Sequence, residues 1–365
     1  MSAEFSHKNA NLELLHTHWL KRLIELNRKN FKVPPTIMPA LTLTATPQSW
    51  PLLKPFRISR GVKTTAETII AQISDGTHCG KGECTPYARY GESVASVLST
   101  LATIARTPDQ FSTPQAIAES LPAGAARNAL DCALIDYEAK KSGRSAANRF
   151  NLTLKPQITA YTLSLDQPAA MFEAALGAAN RPVLKIKLGG GEGDQERLSA
   201  IRKAAPAPRL IVDANEGWSI ADLDHHLKAC LENRVDLIEQ PFAVGQDDAL
   251  QGFKSPIPLC ADESLHTCAD LDHLGARYQA INIKLDKSGG LHEALALMHE
   301  AERRQLTVMI GCMVASSLAM APAFLIAQKA RWIDRDGPLL LAKDHENGLK
   351  SEGSLLYPPS PILWG

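Results

Sequence analysis

The chain has 365 residues, 45% of them hydrophobic, enough to bury a large core and, by length, to form about two domains. Lysine plus arginine equals aspartate plus glutamate at 39 each, and no basic run is interleaved with aromatics, which argues against nucleic-acid or anionic-membrane binding. No apolar stretch approaches the roughly 18 residues of a membrane span. Seven cysteines, at 79, 84, 132, 230, 260, 268 and 312, form no CxxC pair, so reduced thiols in a cytoplasmic protein are expected.

Residues 1–38 read as an extension. Leu12, Leu15, Trp19, Leu23 and Leu26 recur at helical spacing among basic residues until Pro34 and Pro35 end the pattern, which predicts one amphipathic helix without an assigned function. Residues 39–156 read as a small α+β domain. It holds a β-branched segment over 66–74, a Gly/Pro-rich link around 82–87, and helical runs near 93–105, 114–121 and 124–141. From 157 to 339 short apolar strands alternate with helical stretches, at 158–164, 183–188, 210–214, 237–239, 259–261, 280–284, 308–312 and 332–336. This rhythm predicts an eight-stranded parallel barrel.

Charge closes these strands in order. Lys185 and Lys187 end the second, Asp213 the third, Glu239 the fourth, Asp262 the fifth and Lys284 the sixth. Charge at the end of a buried strand is costly unless it is paired or used, and barrel enzymes place their chemistry at these C-terminal ends. Alternation of side chains puts Lys185 and Lys187 on one face, Asn282, Lys284 and Asp286 on one face, and Asp334 with Asp336 likewise. The second and sixth strands are opposite in an eight-stranded barrel, so two lysines flank an acidic centre.

One such acid alone reads as a solvated loop residue; three at consecutive strand ends read as a metal site. Oxygen ligands without histidine or cysteine suit Mg²⁺, and Mn²⁺ also fits. Lys187 and Lys284 then read as acid/base groups, with salt bridges to the same acids as the plain alternative. Lys185 reads equally as an ion-pair partner or as a group that tunes Lys187. The chemistry that needs this arrangement is proton abstraction beside a carboxylate, because the enediolate so formed requires positive charge nearby. The base must be neutral, and both Lys185 and a metal are expected to depress the pKa of Lys187. Bases on opposite faces of one carbon give 1,1-proton transfer, a racemisation or epimerisation.

The motifs at 185–187, 211–218, 238–241, 260–264 and 281–290 together resemble the enolase superfamily, muconate-lactonising subgroup. The segments 82–93, 121–132 and 334–338 narrow the resemblance to dipeptide epimerases of the L-Ala-D/L-Glu type. The resemblance covers about 40–356. It implies a (β/α)7β modified TIM barrel under an α+β capping domain formed by the N-terminal segment, with 340–365 joining the cap. It also implies one Mg²⁺ held by Asp213, Glu239 and Asp262, two-base catalysis by Lys187 and Lys284, and Lys185 as the first lysine of a Lys-x-Lys motif. Asp334 and Asp336 would bind the α-ammonium of a small dipeptide substrate, in murein-peptide recycling, and the family implies homo-oligomers of unspecified number.

Lys63 stands where the Ala-Glu enzymes of this family carry an arginine that meets the glutamate side chain, and Arg60 is its candidate support. N-acylamino-acid racemisation, o-succinylbenzoate synthesis and cycloisomerisation are the alternatives within the subgroup, none needing an ammonium clamp. Retention of both lysines and all three acids disfavours a non-catalytic dipeptide-binding protein. The glycine run 189–191, His225, His226, His292 and His299 lack the partners of a phosphate or metal site, and Cys312 has no adjacent base.

Overall fold

The computed structural model describes residues 41–189 and 193–365. The amphipathic helix expected within 1–38 and most of the glycine run 189–191 lie outside the described residues.

β1 (Thr42–Ile58), β2 (Gly61–Ser74) and β3 (Cys79–Cys84) form an antiparallel sheet in that order. Pro47, Pro51 and Pro55 all fall in β1, an edge strand where a missing N–H need break no ladder, and the register shifts between Pro51 and Phe56. The first residues of the link expected around 82–87 belong instead to β3, for a packing reason. A Cβ on Gly80 would lie 2.1 Å from Tyr137 N, and one on Gly82 2.2 Å from Ala129 O, so the glycines let the sheet rest directly on the helix Ala125–Ser142. That helix, with Val94–Ile104 and Pro114–Ser120, matches the expected helical runs. Ser93 and Thr113 cap the two shorter ones through the N–H groups of Ser96 and Ala116. Sheet and helices share a core that includes Ile69, Ile73, Leu101, Phe111 and Leu130.

Eight parallel strands follow: β5 (Tyr161–Leu163), β6 (Val183–Lys187), β7 (Arg209–Asp213), β8 (Val235–Glu239), β9 (Leu259–Ala261), β10 (Ala280–Ile283), β11 (Thr307–Ile310) and β12 (Trp332–Ile333). They are neighbours in sequence order, and Ala160 N–H donates to Ile333 O at 2.7 Å, joining the last strand to the first. The stretch 158–164, expected as one strand, is divided. Its start, β4 (Gln157–Ile158), pairs with β14 (Leu355–Leu356), which forms a hairpin with β13 (Ser351–Glu352). The tail then reaches the long helix, where Trp364 Nε1 donates to Cys132 O at 3.0 Å and Gly365 N to Asp136 Oδ1 at 2.7 Å. Among the described residues no helix is long and apolar enough to cross a membrane.

Two-residue alternation gives the barrel its layers. Leu184, Ile186, Leu210, Val212, Ile238, Leu259, Ile281 and Ile283 point outward to the helices. The inward set is a floor of Ala160, Ile211, Leu237, Cys260, Ala280, Met309 and Trp332, against which Val183 packs. Two positions further along the same faces come Thr162, Lys185, Asp213, Glu239, Asp262, Asn282 and Asp334, all buried. An apolar plug thus carries a polar layer directly above it.

Candidate active site

The sequence-predicted charges meet in that upper layer. Strand register sets Lys187 beside Asp213 and Asp213 beside Glu239. Lys187 Nζ lies 2.6 Å from Asp213 Oδ2, and Lys284 Nζ lies 2.6 Å from Asp262 Oδ2. Lys185, 1% exposed, sits among three acids: Asp334 Oδ2 and Glu239 Oε2 at 2.7 Å each, and Asp213 Oδ2 at 3.1 Å. Asp336 Oδ2 accepts the Thr162 backbone N–H at 2.6 Å. Arg335, between the two aspartates, turns the opposite way, stacks 3.9 Å from the Phe324 ring and bonds to Gln157 and the Met320 carbonyl.

One oxygen from each of Asp213, Glu239 and Asp262 lies within 4.8 Å of the others, and all three residues are buried. Glu239 Oε2 accepts no hydrogen bond, although the Lys185 ammonium is 2.7 Å away. Three converging hard oxygens, one of them an unsatisfied acceptor, fit a hard divalent cation such as Mg²⁺ or Mn²⁺.

Opposing fields act on these groups. Burial works against charge on Lys185, yet Asp334, Glu239 and Asp213 outweigh it and hold its pKa well above the ordinary lysine value. Lys284 is raised likewise, burial being overcome chiefly by Asp262. Burial would also raise Asp213 and Asp262, but Lys187 with Lys185, and Lys284 with Lys287, hold them below the usual carboxylate range. Glu239, buried and next to Asp213, is pushed up to about 8. Asp336, buried and next to Asp334, is pushed up to about 7.

Loops from the three-stranded sheet cover this layer. Arg60, at the β1–β2 turn, donates to Glu263 Oε1 at 2.7 Å, Asn215 O at 2.8 Å, Glu216 Oε2 at 3.2 Å and Tyr87 OH at 3.3 Å. Arg89 grips Glu216 with two bonds, at 2.8 and 2.7 Å. The described contacts of Arg60 fasten the hairpin that carries Lys63 to the barrel loops. Lys63 is exposed, with Nζ 5.0 Å from the Tyr87 ring centroid. Its ammonium meets no carboxylate among the described residues.

Alternation fails after Lys284 because the chain turns into the short helix Leu285–Ser288. Asp286 consequently faces the end of β3 and the helix Ala125–Ser142, accepting from Thr85 N at 3.0 Å and Asn128 Nδ2 at 2.7 Å, and Lys287 turns inward instead. Lys287 Nζ donates to Asp262 Oδ1 at 2.6 Å, to Asn282 O at 3.0 Å and to the Asp262 carbonyl. Strand periodicity hid this buried lysine. The missed loop residues Asn215, Glu216 and Gln240 share left-handed φ values of 46°, 66° and 36°, a backbone signature invisible in composition. Gln240 Oε1 accepts the Asp262 and Ser264 N–H groups at 2.8 and 3.2 Å, fixing the loop after β9.

The discounted residues have structural partners. His292 Nδ1 is 2.6 Å from Asp131 Oδ1, and His226 stacks on Trp218 at 4.3 Å. Burial pushes the Cys312 thiol up, which removes it further from a nucleophile. All seven cysteines are free.

Comparison with known proteins follows the same lines. Residues 40–148 match the mandelate racemase / muconate lactonizing enzyme N-terminal domain, and 169–352 match the enolase C-terminal domain-like family. The chain is 46% identical over 301 residues to an N-acetyl-D-glutamate racemase from Pseudoalteromonas sp, covering 81% of this chain and 95% of the relative. It is 42% identical over 306 residues to an L-Ala-D/L-Glu epimerase from Escherichia coli (strain K12), covering 83% and 95%. A crystal structure of an enolase family member from Agrobacterium tumefaciens, with homology to dipeptide epimerases and with bound sodium and L-Ala-L-Glu, superposes with a TM-score of 0.87 at 47% identity, covering 89% of this chain and 100% of that one. With residues 40–148 and 169–352 matched and more than four-fifths of its length shared with these relatives at over 40% identity, the chain belongs to the mandelate racemase / muconate lactonizing enzyme family of the enolase superfamily.

Proposed function

We propose that this protein is a Mg²⁺-dependent dipeptide epimerase of the L-Ala-D/L-Glu type, acting by two-base 1,1-proton transfer. The observation that carries the reading is the placement of Lys187 and Lys284 on β6 and just after β10, each 2.6 Å from a different acid of one buried triad. Asp213, Glu239 and Asp262 would hold the metal. When bound, Mg²⁺ supplies positive charge that offsets the second negative charge developing on the substrate carboxylate as its α-proton leaves.

The rest is done by side chains of this chain. The neutral amine of one lysine takes the α-proton; the C–H bond breaks, an N–H bond forms, and the electron pair moves into the carboxylate as an enediolate. The ammonium of the opposite lysine then gives its proton to the other face of the carbon. Lys185, held as a cation by three acids, keeps those carboxylates from repelling the developing charge. Asp334 and Asp336 would pair with the dipeptide's free α-ammonium, and Lys63, exposed on the hairpin that Arg60 fastens, would meet an acidic side chain.

The competing substrate class is the N-acylated amino acid, racemised by the Pseudoalteromonas relative. An acyl amide brings no cation to two buried aspartates, which favours the dipeptide. Free cysteines throughout support a reducing, cytoplasmic setting, and a role in recycling cell-wall peptides follows from the proposed substrate. The test is ¹H NMR in D₂O with Mg²⁺, offering L-Ala-L-Glu and N-acetylglutamate separately, with an EDTA control. Metal-dependent wash-out of the glutamate α-proton with appearance of L-Ala-D-Glu is expected. Exchange of N-acetylglutamate alone would overturn the dipeptide assignment.

A further inference from the structure

In each of the three triad carboxylates one oxygen is already committed to a buried donor of this chain. Asp213 Oδ1 accepts Asn215 N–H at 3.0 Å, Glu239 Oε1 accepts Asn282 Nδ2 at 2.7 Å, and Asp262 Oδ1 accepts Lys287 Nζ at 2.6 Å. The three donor residues are 4%, 0% and 1% exposed, so water does not compete for these bonds. The other oxygens, Asp213 Oδ2, Glu239 Oε2 and Asp262 Oδ2, face the lysines of the centre. The pins are themselves held. Lys287 also donates to Asn282 O, and a Cβ on Gly311 would lie 2.5 Å from Asn282 Oδ1, so a glycine there gives this amide its room.

We infer that Asn282 and Lys287 are positioning residues that force the triad to offer a cation one oxygen per carboxylate, making the site a size filter that favours a small octahedral ion over a large one. This rests on the metal-dependent reading above. Mg²⁺ takes six ligands in near-ideal octahedral geometry at short range, whereas Ca²⁺ gathers six to eight oxygens at longer range and often takes carboxylates in bidentate fashion. Three pinned carboxylates leave the smaller ion three positions for substrate and water. The larger ion gains a bidentate carboxylate here only by tearing one oxygen from a buried hydrogen bond, and must otherwise fill its wider shell with water.

The test is competition of Mg²⁺ and of Ca²⁺ against Mn²⁺, read as free Mn²⁺ by electron paramagnetic resonance, without substrate and with choline chloride in place of sodium salts. The wild type is expected to prefer Mg²⁺. Lys287→Met and Asn282→Ala are each expected to lower the Mg²⁺-to-Ca²⁺ affinity ratio by about tenfold or more, the usual scale for loss of a group that orients a metal ligand. Both competitors are divalent, so the charge lost in Lys287→Met acts on both and largely cancels in the ratio. Asn282→Ala loses no charge and acts through Glu239, so it decides the matter independently if Lys287→Met does not fold. Equal affinity for the two ions in the wild type, or a ratio unchanged in a folded variant even where both affinities fall, overturns the filter. Absence of any Mn²⁺ binding by the wild type overturns the metal-dependent reading itself.

Discussion

Replacing Lys284 with methionine separates the two halves of the proposed reaction. The substitution keeps the length of the side chain and removes the ammonium 2.6 Å from Asp262 Oδ2. Asp262 is not left bare, because Lys287 still donates to Oδ1 at 2.6 Å. The cost to folding is therefore about 1–3 kcal/mol, that of one lost hydrogen-bond partner, and not the roughly 3–5 kcal/mol of an abandoned buried charge. A positioned acid or base contributes about 10²- to 10⁴-fold, or about 3–5 kcal/mol of barrier, and epimerisation should fall by at least that factor. Lys187 and its contact to Asp213 are untouched, so α-deuterium should still enter one diastereomer of Ala-Glu without inversion. The assay is ¹H NMR in D₂O started separately from L-Ala-L-Glu and L-Ala-D-Glu, with denaturant unfolding to show that the variant is folded. Undiminished interconversion, exchange from both diastereomers at equal rates, or loss of exchange from both in a folded variant would refute the two-base assignment.

Asp336→Asn should reduce kcat/KM for dipeptides by about 10- to 100-fold, the worth of a charge-assisted hydrogen bond, while leaving any turnover of N-acetylglutamate unaffected; steady-state kinetics on the two substrates checks this. Lys63→Ala should lower kcat/KM for L-Ala-L-Glu and leave L-Ala-L-Ala little changed, measured on a dipeptide panel. Gly82→Ala should destabilise the fold by about 1–3 kcal/mol or more, because the new Cβ would lie 2.2 Å from Ala129 O; denaturant unfolding reads it. Without metal, stability should fall as pH rises from about 4 to 8: Asp286 and Asp336, at about 7, and Glu239, at about 8, keep in the folded state protons that unfolded carboxylates release near pH 4. Urea unfolding in EDTA at pH 5 to 8 tests this, and a midpoint that rises with pH would contradict it.

The barrel and the heart of its site were legible because both follow a two-residue period. Lys185, Lys187, Asp213, Glu239, Asp262 and Lys284 each lie two or four positions beyond an inward apolar residue of the same strand, so face and height follow from spacing alone. Counting broke down where the chain left strand geometry. Strand alternation puts Asp286 on the face of Asn282 and Lys284, whereas a single helical turn gives that face to Lys287. Arg60, Arg89, Glu216 and Glu263 come together across separations of more than 100 residues, and nothing in local spacing announces which loop arginine meets which acid. Gly82 reads as part of a link because its purpose, close approach to a helix, depends on a partner some 50 residues away.

The apolar floor of the barrel bears on stereochemistry as well as on packing. Its residues come from successive strands and close the channel beneath the lysines, from Ala160 and Ile211 round to Met309 and Trp332. A carbon that has lost its proton is indifferent to where the replacement comes from, and bulk solvent would deliver one to either face at random. The hydrocarbon underside closes that source off from below. The hand of the product is then decided by whichever lysine holds the proton, and the hydrocarbon below, which touches no reacting atom, preserves the distinction between the two sides.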